Sequence, residues 1–293
     1  MLLIKIIVFL LTRCNLKTLH TIGSFLGITI YYLLPGRRRI ARKNLRIALG
    51  ENFNEKILKE SFKNSFKSMM EIFYTNRIDE SFIAKNIRLN DLTYLKEALE
   101  KGKPIFLITG HIGSWEFLPA VYSSITKGKI AIVGKSTRSK KIDDILHRLR
   151  TRENIHFISH SNAIVSIQRF FKKGIPVGAL LDQGGLEKNC FFIDFFGIKT
   201  TFVKGLPIYA SKIGAVILIG FLIREDDKYT IKIYPPIEPA ETLDQVAAAE
   251  KLAYQINQIY EDIIRKYPEQ WFTLNKRFKR VLENENGKIG SIY

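Results

Sequence analysis

Pro104-Ile105-Phe106-Leu107-Ile108-Thr109-Gly110-His111-Ile112-Gly113-Ser114-Trp115-Glu116 is the stretch from which the fold can be read. Five strand-forming residues lie between a proline and a glycine, as in a strand buried on both faces. A glycine-containing polar turn follows, and Trp115 to Ser124 continues with helical spacing. The same strand–turn–helix unit recurs down the chain. Apolar runs cover Ile130 to Gly134, Ile155 to Ile158, Ile175 to Leu181, Ala215 to Ile223 and Tyr229 to Tyr234. Helical patterns fall between them, at Lys141 to Arg150, Ala163 to Lys173 and Val203 to Ile213, and a long one, Leu243 to Lys266, follows the last run. This alternation predicts an α/β layered domain with a mixed, largely parallel central sheet flanked by helices. No internal repeat or linker divides residues 50–293, which are read as one domain.

Open sheets of this type bind ligands beyond the carboxyl ends of their strands. Three polar stretches occupy such positions: Gly110 to Glu116, Lys135-Ser136-Thr137-Arg138, and Asp182-Gln183-Gly184-Gly185. Within the first, His111 precedes Glu116 by five residues. That spacing does not align on a regular helix, so the turn at Gly113 has to bring the two together. Glu116 would then orient one imidazole nitrogen and leave the other to accept a proton from an attacking hydroxyl. Taken by itself, His111 can equally be a residue that caps the turn. His20, His147, His156 and His160 have no such setting. Gly134-Lys135-Ser136 is not a phosphate loop, because the position five before Gly134 is Lys129 and apolar residues fill the interval. Ser114 lacks the G-x-S-x-G elbow of a serine hydrolase.

The chain of 293 residues is 46% hydrophobic, as expected of a folded core, and carries a formal net charge of +18. Such a surplus calls for an anionic partner: nucleic acid, anionic lipid or a phosphorylated substrate. The two cysteines, Cys14 and Cys190, form neither a disulfide framework nor a metal-ligand spacing, and no metal or organic cofactor is expected. Residues 1–49 differ from the rest. Two apolar runs, Leu2 to Leu11 and Leu19 to Leu34, are broken by Lys5, Arg13 and Lys17. The second would reach roughly 24 Å as a helix, short of a hydrocarbon core of about 30 Å. Arg37-Arg38-Arg39-Ile40-Ala41-Arg42-Lys43 follows directly. An apolar anchor with a basic flank predicts attachment to a membrane surface on its cytoplasmic side.

Gly110 to Glu116 resembles the H-x4-D/E motif of glycerolipid acyltransferases, and the Gly-x-Trp-Glu variant resembles the bacterial lipid A late acyltransferases of lauroyl/myristoyl type. Further stretches are similar in the same order: Arg37 to Leu45, Leu181-Asp182-Gln183, Phe192-Ile193-Asp194-Phe195-Phe196-Gly197, and Gln270 to Lys279. Departures from the family pattern stand at Phe202, Asn275 and Asp194, where it has a small hydroxyl residue, His and Pro. The resemblance implies that His111 and Glu116 are catalytic and that His111 deprotonates an acceptor hydroxyl, which attacks a thioester. The donor would be acyl carrier protein, and the acceptor a Kdo-bearing lipid A precursor at the cytoplasmic face of the bacterial inner membrane. Lys135, Arg138 and Arg150 are then candidates for binding anionic groups, with Asp182 and Gln183 at the same strand-end rim. Phe191, Phe192, Phe195 and Phe196 either line an acyl slot or belong to the core.

Two other readings remain at this level. An acyltransferase could use acyl-CoA on another membrane glycolipid, of the phosphatidylinositol mannoside type. A non-catalytic basic protein could bind membrane or nucleic acid, although no stacking aromatics or nucleic-acid motif accompany the charge.

Overall fold

The computed structural model describes residues 2–90, 92–135, 137, 139–159, 163–283 and 288–293. The N-terminal region is helical: α1 (Leu2–Arg13), α2 (Leu16–Leu33), α3 (Pro35–Leu49), α4 (Glu55–Glu71) and α5 (Glu80–Asn86). Then come β1 (Ile87–Arg88), α6 (Thr93–Glu100), β2 (Ile105–Thr109), α7 (Leu118–Thr126), β3 (Ile130–Gly134), α8 (Lys140–Arg150) and β4 (Ile155–Ser159). The remainder comprises α9 (Ala163–Phe171), β5 (Val177–Leu180), β6 (Cys190–Phe195), β7 (Ile198–Val203), α10 (Gly205–Ile213), β8 (Val216–Glu225), β9 (Lys228–Ile233), α11 (Gln245–Lys266), β10 (Val281–Leu282) and β11 (Ile289–Gly290).

The main sheet has seven strands in the order β1-β9-β8-β2-β5-β3-β4. Only the β8–β9 pair is antiparallel, so the sheet is mixed and largely parallel as the sequence predicts. Its central strands are apolar on both sides because helices cover both faces. Phe106, Ile108, Val177, Ile217 and Ile219 form a continuous core with Leu252, Ile256, Tyr260 and Ile263 of α11.

The segment from Cys190 to Val203 departs from expectation. The sequence pattern assigns no strand there, yet it forms a hairpin of β6 and β7 within a second sheet, ordered β11-β10-β7-β6. Phe195 pairs with Ile198, and the two turn residues, Phe196 and Gly197, both have positive φ (53° and 75°). That conformation matches the twist of a two-residue hairpin. Phe195 and Phe202 are fully buried in the core, whereas Phe191 and Phe196 only pack against it.

The first helices are not a free stalk. In α2 the buried residues are Leu19, Gly23 and Gly27. A Cβ at Gly27 would lie 2.6 Å from the carbonyl oxygen of Phe62, and one at Gly23 2.8 Å from the backbone of Lys67. The two glycines therefore let α2 lie directly on the backbone of α4. Next along the chain, α3 contributes Ala41, Leu45 and Ala48 to the main core. The outward side of α1 and α2 remains apolar, with Leu3, Phe9, Leu10, Phe25 and Leu33 more than half exposed. Among the described residues no helix is long and apolar enough to cross a membrane.

Candidate functional site

β2 and β5 are parallel neighbours, with Thr109 opposite Leu180. Two residues beyond that pair, the chains present His111 and Asp182 side by side. His111 Nδ1 lies 2.8 Å from Asp182 Oδ1. The second carboxylate oxygen, Oδ2, accepts from Gln183 Nε2 at 2.9 Å. Asp182 is fully buried, while the imidazole keeps 29% of its surface exposed. Burial opposes a charge on the ring, but the charge and hydrogen bond of Asp182, reinforced by the charge of Glu116, outweigh it and raise the pKa of His111. Burial likewise pushes Asp182 upward, and His111 reverses this, holding the carboxyl below its ordinary value. The ring also packs edge-on against Trp115, with centroids 5.3 Å apart, and faces Phe272 at 6.0 Å. This is a histidine with one nitrogen fixed by a buried carboxylate, a geometry suited to general-base work at the other nitrogen.

The orienting carboxylate is thus Asp182, in place of the expected Glu116. Glu116 is held elsewhere: Arg150 Nη2 donates to Oε1 at 2.6 Å and Nε to Oε2 at 3.0 Å. The helix after the motif begins only at Leu118, so Glu116 sits in the turn before it rather than in its first helical turn. There it faces Arg150, the last residue of α8. A bidentate guanidinium occupies both carboxylate oxygens, and Glu116 reaches the imidazole through its charge alone. Arg150 is correspondingly charge-compensated. Burial lowers its pKa, and the stronger effect of Glu116 raises it.

The turn carrying His111 is fastened on every side. His111 and Gly113 exchange backbone hydrogen bonds with Phe272 (2.8 Å) and Gln270 (3.0 Å), and Ser114 N donates to the Leu222 carbonyl at 2.7 Å. Gly113 has φ +63°, and a Cβ there would lie 2.2 Å from the Leu222 oxygen, so only glycine fits. Beneath the turn lies a buried ionic cluster that the sequence analysis did not single out. Glu71 Oε1 accepts from Ser114 Oγ (3.0 Å), Arg224 Nη1 (3.0 Å) and Tyr229 OH (3.2 Å), and lies 2.9 Å from His20 Nε2. Arg224 also donates to Ser114 Oγ at 2.7 Å and Ser68 Oγ at 2.9 Å, and Ser68 Oγ donates to the Gly113 carbonyl at 2.6 Å. Burial pushes the Glu71 pKa up, and Arg224 and His20 bring it below its ordinary value. Single residues spread over α2, α4, β8 and β9 left no motif by which to find this cluster.

The other expected site residues scatter. Lys135 is exposed just after β3, and Arg138 lies outside the described residues. Gln183 is drawn in through Asp182. Arg277, from the segment Gln270 to Lys279, is buried beside the Asp182 strand end. Its Nη1 donates to the Thr201 carbonyl at 3.1 Å, and its guanidinium lies 4.4 Å from the Phe195 ring centre. Burial lowers its pKa to about 10. Among the described residues no three His, Cys, Asp or Glu side chains gather as a metal site.

The family model described as bacterial lipid A biosynthesis acyltransferase matches residues 1–280. The lipid A biosynthesis palmitoleoyltransferase of Escherichia coli (strain K12) is 25% identical over 264 residues, covering 88% of this chain and 84% of that protein. The same values hold for the lipid A biosynthesis acyltransferase of Shigella flexneri. Lipid A biosynthesis acyltransferase 2 of Shigella flexneri is 24% identical over 259 residues, covering 85% and 79%.

Proposed function

We propose, from the premise that this chain belongs to the bacterial lipid A biosynthesis acyltransferase family and is an acyltransferase, that it moves a fatty acyl chain from an acyl carrier protein thioester to a hydroxyl of a Kdo-bearing lipid A precursor. The observation that carries the mechanism is the partly exposed imidazole of His111 hydrogen-bonded at Nδ1 to the buried Asp182. Asp182 accepts the hydrogen bond of Nδ1–H and leaves Nε2 as the base. Nε2 takes the proton of the acceptor hydroxyl as the oxygen attacks the thioester carbonyl. The imidazolium so formed is stabilised by Asp182, and by Glu116 from further away. Collapse of the tetrahedral intermediate breaks the carbon–sulfur bond, and His111 returns the proton to the departing thiolate. No covalent acyl-enzyme is required.

The acidic carrier and the phosphorylated acceptor both suit a chain of net charge +18. The exposed apolar residues of α1 and α2, followed by the basic start of α3, support attachment at the cytoplasmic face of the inner membrane rather than to nucleic acid. Lys135 and Arg138 are proposed to meet anionic groups of the substrates.

The test is mass spectrometry of lipid A from cells carrying the wild-type gene, no gene, or the His111→Ala variant. Loss of one acyl chain of defined mass in the last two is expected. Unchanged acylation in His111→Ala cells would overturn the mechanism. Assays of the purified enzyme with acyl carrier protein and CoA thioesters in parallel check the donor.

A further inference from the structure

A cavity of about 490 Å³ is lined by Leu34, Pro35, Gly36, Arg37, Arg39, Ile40, Lys43, Lys276 and Tyr293. None of the residues that hold the imidazole or Glu116 lines it. The chain segment that follows Phe272 connects the two places: Phe272 N donates to the His111 carbonyl, while Arg37 Nη1 donates to the Leu274 carbonyl at 3.1 Å on the cavity side.

Its lining has two characters. Four side chains are cationic and none is acidic. Two of the four are positioned by neutral acceptors, Arg37 by the Leu274 carbonyl and Lys43 by the Ile292 carbonyl. A carbonyl fixes a cation's position without cancelling its charge. Lys276 lies over the Tyr293 ring, 5.7 Å from its centre. No ion pair to Arg37, Arg39, Lys43 or Lys276 occurs among the described residues. The rest of the wall is apolar, through Leu34, Pro35, Ile40 and the Tyr293 ring. It continues along the chain into Tyr32 and Leu33, which are 57% and 68% exposed. A convergence of uncompensated cations on an apolar wall, beside an exposed apolar helix end, matches a ligand with an anionic head and a hydrocarbon body.

We propose that this cavity is a second lipid site, which takes the phosphate of an anionic membrane lipid and seats the N-terminal helices on the bilayer. The cations come from both ends of the chain: the start of α3 and the segment ending at Tyr293. Occupancy of the site therefore joins the helical N-terminus to the segment in which Phe272 bonds the turn carrying His111. The site stands independently of which acceptor or donor the catalytic centre uses, because its readout is lipid binding without turnover.

The experiment is co-sedimentation of the full chain with phosphatidylcholine vesicles with and without 20% phosphatidic acid, repeated with Arg39→Gln/Lys276→Gln. A second double variant, Lys212→Gln/Lys251→Gln, removes the same charge from exposed positions on α10 and α11. At about one kcal/mol per basic residue near an anionic surface, the cavity variant is expected to bind phosphatidic acid vesicles roughly thirtyfold more weakly. The control variant should change by less than about threefold, and millimolar inorganic phosphate should leave binding intact. Equal losses in both variants would reduce the effect to net charge and overturn the site. Displacement by inorganic phosphate alone would assign the cavity to a free anion instead of a lipid. Thermal melting of each variant verifies that the fold is retained.

Discussion

Two fully buried carboxylates, Asp182 and Glu71, flank the turn that carries His111, and they do different jobs. Asp182 touches the imidazole itself and has a partly exposed partner. Glu71 touches no part of the ring. It gathers Ser114, Arg224, Tyr229 and His20 beneath the turn. Each would be costly to bury alone, and each is held in its charged form by a cationic or hydrogen-bonding partner. The comparison teaches that one acid sets the protonation of the imidazole, whereas the other sets where the imidazole stands. Loss of the first should appear in chemistry, and loss of the second in stability.

The sharpest way to break this division is Asp182→Asn. The amide keeps the shape but favours the wrong imidazole tautomer, so kcat is expected to fall by about 10³ or more with little change in acceptor binding. Single-turnover acyl transfer measures it. Glu71→Ala should act the other way. It leaves Arg224 buried without its carboxylate, which is expected to cost about 3–5 kcal/mol of unfolding free energy, read by denaturant titration. Activity of the folded fraction should suffer less than in Asp182→Asn. If Glu71→Ala abolished turnover while leaving stability intact, the two acids would not be separable in this way.

Smaller effects sharpen the electrostatics. The charge of Glu116 raises the His111 pKa and that of Arg150 lowers it. With His111 as the proposed base, the acid limb of kcat/KM should follow its deprotonation, so Glu116→Gln should move that limb to lower pH and Arg150→Gln should move it to higher pH. Shifts of opposite sign in the pH–rate profile are the expected outcome.

Stability should carry the weakest signature. The folded pKa of His111 is raised, so its contribution is complete below the unfolded value of about 6.5 and is lost as pH rises through the folded one. The folded pKa of Asp182 is depressed, so its share is complete above about 3.9 and is lost as pH falls through the folded value. The pair therefore stabilises the fold most between about pH 4 and 6.5. Melting curves of Asp182→Asn against pH should lack the alkaline loss expected of the wild type.

Much of this was legible in the chain because it is local. The apolar runs at Ile105, Ile130, Val177 and Val216 became central strands, since a strand buried on both faces needs continuous apolar sequence. Gly113 announced a turn, and the conformation there admits no side chain. The hairpin of β6 and β7 was obscured because its strands mix core phenylalanines with threonines that are buried for their hydrogen bonds, such as Thr200. The α2–α4 contact was hidden for a related reason: Gly23 and Gly27 gain meaning only when a second backbone lies against them.

By itself the sequence determined the layered α/β class, the strand-end positions of His111, Glu116 and Asp182, and the basic, apolar character of the N-terminus. The tertiary structure alone decided which carboxylate serves the histidine. Five residues separate His111 from Glu116 and seventy-one separate it from Asp182, yet the pairing of β2 with β5 makes the distant residue the contact. Strand order is a property of how sheets pack in space, and sequence distance along the chain does not encode it.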